Sequence, residues 1–330
     1  MATAEQLKAL VRSHTAGDGE QFLTVSLQVA AHAARQGKVR LAQELRDLVD
    51  EAKTNSSRPP RTVPLARPAG ELADLIHVSY PKTRLSDMVL STPARGSIAR
   101  VLAEFRQQNK LRTHGLSARR KLLLVGPPGA GKTMTAAALA GELHLPLLAI
   151  RLDGLITKFM GETASKLRLV FDAMAATRGV YLFDEFDAIG ADRGRANDVG
   201  EMRRVVNSFL QFLEADDSDS VVVAATNHVN SLDPALFRRF DDVILYSLPD
   251  PDQVEQLLKN RLNTFDIAGV DWVPVRAAAA SLSHAEVARA ALETVKAAVL
   301  ADRTEIATGN VVATLRERAA IAGRGVPTSE

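Results

Sequence analysis

Gly126-Pro127-Pro128-Gly129-Ala130-Gly131-Lys132-Thr133 is the stretch on which the fold of this chain turns. An apolar run, Leu122-Leu123-Leu124-Val125, leads into it, and an alanine-rich stretch of high helix propensity, residues 134–143, follows. The pattern G-x-x-x-x-G-K-[ST] becomes informative in this strand–loop–helix setting. Glycines at 126, 129 and 131 permit positive φ, which turns successive backbone N–H groups inward as an anion nest at the start of a helix. On this reading Lys132 reaches the β- and γ-phosphates of a nucleoside triphosphate, and the Thr133 hydroxyl joins the shell of a Mg²⁺ ion. The expected nucleotide-binding set is the whole octapeptide with Met134 directly after it.

The 330 residues leave room for two or three domains, and 46% hydrophobic content is ample for packed cores. A formal net charge of +2 gives no mandate for a nucleic-acid or anionic-membrane partner. The chain has no cysteine, which excludes disulfides and thiolate metal sites. No apolar run approaches the ~18 residues of a membrane span, and no signal-peptide core opens the chain. A soluble, cytoplasmic protein is the expectation.

Outward from the loop, strand-like runs at 121–125, 147–152, 179–184, 221–226 and 243–246 alternate with helical stretches at 130–143, 163–176, 201–214 and 234–240. This alternation predicts an α/β fold with a five-stranded parallel sheet covered on both faces. After Pro249 only helical patterns remain, at 252–263, 283–302 and 310–322, as in a small helical lid. The expected organisation is an α/β nucleotide domain over 80–248, a lid over 249–323 and a tail over 324–330. Residues 54–79 interleave Pro59, Pro60, Pro64 and Pro68 with Arg58, Arg61 and Arg67, the composition of an extended linker. Residues 1–53 carry three apolar stripes at helical spacing: Leu7, Leu10 and Val11; Phe22, Val25 and Val29; Leu41, Leu45 and Leu48. None of three such short helices buries its apolar face alone, so a tethered three-helix bundle is expected. A structural cap and a docking module for an adaptor or substrate fit it equally well.

Tyr181-Leu182-Phe183-Asp184-Glu185 ends the third strand of the prediction, with an acidic pair at the strand's C-terminal edge, where open α/β sheets bind ligands. There Asp184 would hold Mg²⁺, and Glu185 would polarise the water that attacks the γ-phosphate. The fourth strand ends in Ala224-Ala225-Thr226-Asn227, whose amide is placed to bond both the γ-phosphate and that water. Next comes Leu232-Asp233-Pro234-Ala235-Leu236-Phe237-Arg238-Arg239-Phe240-Asp241. Its two arginines have two readings: complements to a helix dipole, or cations offered to a neighbouring molecule's γ-phosphate.

Taken together, these four segments resemble the AAA family of ATPases over roughly residues 80–322. The pattern is most similar to the branch that holds proteasomal ATPases, membrane-bound AAA proteases, katanin, spastin and the ESCRT-disassembling ATPase. The resemblance implies ring hexamers with each ATP site at a subunit boundary, Asn227 as sensor 1, and Arg238 and Arg239 as the arginine-finger pair. It also implies that Lys158-Phe159-Met160-Gly161 forms a pore loop in which Phe159 grips a polypeptide, and it sets residues 190–200 at a second pore loop. Phe237-Arg238-Arg239-Phe240 departs from the family's frequent Arg-Pro-Gly-Arg, which leaves open which arginine acts. His284 and Ala285 fall where the family places Gly-Ala at the nucleotide's edge, so His284 stands in for a glycine. Tyr80-Pro81 and Leu85-Ser86-Asp87 match the family's entry strand, and His114-Gly115-Leu116 matches the border of the adenine.

The leading expectation is therefore an ATP-driven ring that remodels, unfolds or translocates protein through a central pore. The N-terminal bundle, similar in size and helix count to three-helix MIT domains, would choose the substrate or adaptor. A second reading keeps the ATPase as a regulatory subunit feeding a separately encoded protease or nuclease, since no His-Glu-x-x-His pattern occurs in the sequence. A third, nucleic-acid remodelling, draws on Arg58, Arg61, Arg119, Arg120 and Lys121, and the near-neutral charge argues against it.

Overall fold

Leu122, Leu123, Leu124 and Val125 are all buried, which places their strand in a sheet covered on both faces. The computed structural model describes residues 25–26, 29–31, 33, 38, 40, 42–44, 70–155, 160–186, 196–228 and 237–323, with backbone alone at 160–161, 196–204 and 323. The chain divides into two units, Met1–Pro64 and Leu65–Glu330. Among the described residues of the first, Ala30, Ala33 and Ala42 are buried, and Arg40 pairs with Glu44 one helical turn on. The rest of the expected bundle lies outside the described residues.

In the second unit, α1 (Glu71–Leu75) runs directly into β1 (Ile76–Ser79), and a 3-10 turn at Leu85–Asp87 precedes α2 (Thr92–Arg106) and α3 (Gln108–Thr113). The α/β part continues through β2 (Lys121–Val125), α4 (Lys132–Leu143), β3 (Leu147–Ile150), α5 (Leu152–Leu155), α6 (Met160–Ala176), β4 (Val180–Phe183), α7 (Ala196–Ala215), β5 (Val221–Thr226) and β6 (Asp242–Leu245). Four helices follow: α8 (Pro251–Leu262), α9 (Trp272–Ala278), α10 (His284–Leu300) and α11 (Thr308–Gly323).

The sheet has six strands in the order β1-β3-β4-β5-β2-β6, which corrects the expected five. Five are parallel, and β1 joins the edge antiparallel, pairing Ile76 with Ile150 and Ser79 with Leu147. Residues 71–79, expected within the linker, thus form a helix and a sheet strand. The signal was weak because β1 is four residues long with Ile76 alone fully buried, so it shows little alternation. Leu85–Asp87, matched to an entry strand, is a 3-10 turn whose carboxylate closes on Arg84 N at 2.8 Å.

Period-2 alternation then assigns the two faces. Leu123, Val125, Tyr181, Phe183, Val222 and Ala224 face α6 and α7 in one core with Phe171, Phe209 and Leu213. Helices α2 and α4 pack on each other, with α4 also on β4 and β5, and α2 on β6. The lid has its own core, including Val254, Leu258, Val275, Ala291 and Leu315. Its α9 was not foreseen, being seven residues with Pro274 near its start. No described helix is long and apolar enough to cross a membrane.

Candidate active site

Strand register gathers the chemistry on one edge. Val125 pairs with Thr226, and Phe183 pairs with Ala224. The residues that follow each strand, Gly126–Thr133, Asp184–Glu185 and Asn227, therefore leave the sheet together at its C-terminal ends. That is where open parallel sheets take their ligands.

The phosphate loop folds as its glycines require: Gly129 (φ 73°) and Gly131 (φ 100°) occupy conformations that residues with a Cβ rarely adopt. Lys132 opens α4 with its side chain buried, and its Nζ donates to the carbonyls of Gly126 at 2.7 Å and Pro127 at 2.8 Å, and to Asn227 Oδ1 at 2.8 Å. The Thr133 hydroxyl donates to Asp184 Oδ2 at 2.6 Å. A hydroxyl and a carboxylate side by side are hard oxygen donors of the kind Mg²⁺ takes, and Mg²⁺ completes its shell with phosphate oxygens and water. Among the described residues no group of three or more His, Cys, Asp or Glu could hold a metal by itself. The donor set fits an ion that arrives with a triphosphate.

Glu185 holds a left-handed backbone at φ 51°, an uncommon state for a non-glycine residue. Its neighbours impose it. Phe183 and Phe186 are both fully buried and both pack on Phe209, with ring centroids 5.0 and 4.7 Å away. Phe186 N–H also donates to the Ala225 carbonyl at 2.8 Å. With both flanks anchored, the Glu185 carboxylate is left exposed at the cavity wall, and Asp184 Oδ1 accepts from Glu185 N at 3.0 Å. Strain of this sort persists where the surroundings over-determine it.

The cavity, about 420 Å³, is lined by Pro128 to Met134, Asp184, Glu185 and Asn227, and by His284 and Ala285 from the lid. Ala285 N–H donates to the Gly129 carbonyl at 3.0 Å, so α10 seats directly on the phosphate loop. Burial pushes His284 below the ordinary histidine range, and the Asp250 carboxylate pulls the other way. Sequence reasoning missed the rest of the wall: Met88 and Val89 after the 3-10 turn, and Leu257, Asn260, Arg261 and Ala288 from the lid. No local pattern marks these residues, which converge only when the lid folds back.

His114, Gly115 and Leu116, expected at the adenine border, do not line this cavity. Leu116 lines a separate hollow of about 300 Å³ with Phe105, Arg112, Arg120 and Lys121. The reason is topological: the turn after α3 feeds the N-terminal end of β2, whereas the phosphate loop leaves its C-terminal end, ~13 Å away along the strand. Lys158 and Phe159 lie outside the described residues, as do 190–195; Met160 and Gly161 start α6, and 196–200 start α7.

Of the arginine segment, residues 232–236 also lie outside the described residues. Phe240 is buried in the main core, while Arg238 and Arg239 are exposed just before β6. That strand enters level with Leu122, and Asp241 Oδ2 accepts from Arg120 N at 2.8 Å and Lys121 N at 2.9 Å. Both arginines therefore sit at the end of the sheet opposite their own phosphate loop. Arg239 is ion-paired with Glu214 of α7, and Arg238 has no ion-pair partner among the described residues.

The family described as "ATPase family associated with various cellular activities (AAA)" matches residues 122–248. The chain is 34% identical over 309 residues to "Uncharacterized AAA family ATPase y4kL" of Sinorhizobium fredii, covering 93% of this chain and 92% of that protein. It is 32% identical over 244 residues to "ATP-dependent zinc metalloprotease FtsH" of Helicobacter felis, covering 71% of this chain but only 38% of that protein. The AAA domain of FIGL-1, a crystal structure, superposes with a TM-score of 0.58 at 20% identity, over 78% of this chain and 94% of that one, a likeness of fold alone. The match along nearly the whole length of y4kL, together with the phosphate loop and acidic pair on one sheet edge, makes this chain a member of the AAA family and an ATPase.

Proposed function

We propose that this ATPase works as a homo-oligomeric, hexameric ring that remodels, unfolds or translocates polypeptides through a central pore. The observation that carries this reading is the separation of Arg238 and Arg239 from their own phosphate loop by the length of β2. An arginine side chain reaches ~7 Å, and β2 is ~13 Å long, so these cations serve a phosphate on another subunit. Each hydrolytic centre is then completed by two copies of the chain.

Within one centre, the loop N–H groups and Lys132 hold the β- and γ-phosphates, and Asn227 sets the position of the lysine ammonium. Thr133 and Asp184 hold Mg²⁺, which when bound neutralises charge on the phosphate oxygens. Glu185 accepts a proton from the attacking water and orients it in line with the γ-phosphate. Arg238 or Arg239 of the adjacent subunit stabilises charge on the transferring phosphoryl group, an effect typically worth ~10³–10⁵ in rate. Phe159, by the family resemblance, grips substrate in the pore, where a flat apolar ring beside Met160 holds many side chains without sequence preference.

Unfolding of a fluorescent reporter protein with an unstructured tail, followed beside ATPase activity, tests the reading. Phe159→Ala is expected to abolish unfolding while the ring still hydrolyses ATP. Equal loss of both activities, or of neither, overturns pore threading. A second reading, a ring feeding a partner protease, is favoured by the likeness to FtsH. Copurification of a stable protease partner would select it.

A further inference from the structure

Tyr246 follows directly on Leu245, the last residue of β6, and meets the phosphate loop at both of its ends. At the start of the loop, Tyr246 N–H donates to the Val125 carbonyl at 2.7 Å. A Cβ on Gly126 would lie 2.4 Å from the Tyr246 carbonyl oxygen and 2.6 Å from the Tyr246 Cβ, so the two backbones pack directly on each other. At the far end, the Tyr246 hydroxyl lies 2.7 Å from Thr135 Oγ1 on α4, with both side chains buried. The Thr135 hydroxyl donates in turn to the Gly131 carbonyl at 3.1 Å, an oxygen that Thr135 N–H also reaches at 2.9 Å. Its proton is directed there, so Thr135 Oγ1 accepts from the phenol. Tyr246 is not among the residues that line the nucleotide cavity, and it reaches the loop only from beneath.

The Gly131 C=O and the Lys132 N–H belong to one planar trans peptide and point in opposite directions. Holding the carbonyl toward Thr135 therefore aims the Lys132 N–H out of the N-terminus of α4, where a phosphate binds. Gly131, at φ 100°, has no Cβ to hold that plane, so the restraint comes from outside the loop. Two buried hydroxyls add little net stability over an apolar pair of the same shape. What this pair adds is direction, since its chain of hydrogen bonds ends on a loop carbonyl. Burial pushes the Tyr246 phenol up to about 12, with the Thr135 contact pulling the other way, so the phenol keeps its proton near neutral pH.

We propose that Tyr246 is a positioning residue for the phosphate loop: acting through the Thr135 hydroxyl, it holds the Gly131–Lys132 peptide in the orientation that receives the nucleotide's phosphates. This rests on the reading of residues 126–133 as a triphosphate cradle.

Titration calorimetry on the full chain tests this, with ADP, a non-hydrolysable ATP analogue, and adenosine as a ligand without phosphate. The phosphorus resonances of bound ADP are recorded beside it. Tyr246→Phe keeps the ring and removes the hydroxyl, and Thr135 stays bonded to Gly131, so no buried group is orphaned. This variant is expected to bind ADP and the ATP analogue ~5-fold or more weakly, to hold adenosine within ~2-fold, and to shift the β-phosphorus resonance. Thr135→Ser, which keeps a hydroxyl, should retain most of the affinity that Thr135→Val loses. Adding Tyr246→Phe to Thr135→Val should bring no further loss, because the phenol acts through that hydroxyl. Wild-type affinity with an unmoved resonance in Tyr246→Phe overturns the proposal. An equal loss for adenosine also overturns it, since the tyrosine then only packs, as do additive losses in the double variant. Lys132→Ala, measured in parallel, separates the two readings. Undiminished binding there removes the cradle itself. Loss in Lys132→Ala with none in Tyr246→Phe removes only the support from beneath.

Discussion

Lys132 Nζ donates to Asn227 Oδ1 at 2.8 Å, which fixes the ammonium of the phosphate loop to the tip of β5. The two residues are 95 positions apart in sequence and meet because β2 and β5 are adjacent and in register. Removing the amide by Asn227→Ala leaves the lysine charge in place and takes away one of its guides. The expected result is a kcat lower by ~10- to 100-fold with a much smaller change in nucleotide Kd. Steady-state turnover and calorimetry together check it; parallel losses in both quantities would make the amide a binding group.

Glu185 is held in a left-handed conformation between two buried phenylalanines, with Phe186 N–H bonded to the Ala225 carbonyl and Glu185 N–H to Asp184 Oδ1. Glu185→Gln keeps size and shape and removes the basic oxygen. ATP affinity is expected to stay within a few-fold, with turnover reduced by ~10²–10⁴. Single-turnover hydrolysis measures this directly, and rapid turnover by the variant would take Glu185 out of the base role.

The nucleotide-facing edge of the fold was legible because its signals are local. The glycines of 126–133, the apolar run before them and the Asp184-Glu185 pair after another apolar run each declare themselves within a few residues. The parallel strands were found for the same reason: Val221–Thr226, for example, is buried at every position and reads as an unbroken apolar segment up to its closing threonine. The far wall of the cavity was not legible. Met88 and Val89 follow a three-residue 3-10 turn, and Asn260 and Arg261 sit on the exposed side of an amphipathic helix whose pattern reports only its core-facing residues, Leu257 among them. Residues 114–116 precede β2 and so adjoin its N-terminal end, away from the cavity that the phosphate loop lines.

Gly141 on α4 lies against the segment that leads to Met88 and Val89. A Cβ there would stand 2.1 Å from the Thr83 carbonyl oxygen and 3.2 Å from that of Pro81. Arg84 Nη1 clasps the Gly141 carbonyl at 2.8 Å, and Leu85 N bonds Glu142 Oε1 at 3.3 Å, so the segment has little freedom to retreat. Gly141→Ala should cost ~1–3 kcal/mol through backbone displacement. Thermal unfolding is expected to show a Tm lower by several degrees. Nucleotide affinity should fall with it, because the displaced segment carries two cavity-lining residues. An unchanged Tm would mean that 81–84 is not packed on α4.

Arg239 is engaged by Glu214 of its own chain, whereas Arg238 is exposed and unpaired among the described residues. Both members of the Arg239–Glu214 pair are 43% exposed, so the pair itself stabilises the fold by at most ~1 kcal/mol. In the proposed ring the consequence is positional: Arg239 leans on α7, which leaves Arg238 the freer of the two to reach a neighbouring subunit's phosphate. Arg238→Ala is accordingly expected to lower turnover by ~10³-fold or more without loss of nucleotide binding. Arg239→Ala should have the smaller effect, matched by Glu214→Gln, which releases the same contact. Rings mixed from Arg238→Ala and Lys132→Ala subunits should regain part of the activity, since some boundaries then pair an intact loop with an intact arginine. If mixed rings demonstrably form and show no recovery, Arg238 does not act across the boundary. If Arg239→Ala proves the more damaging substitution, the ion pair with Glu214 must open during the cycle and the two arginines exchange roles.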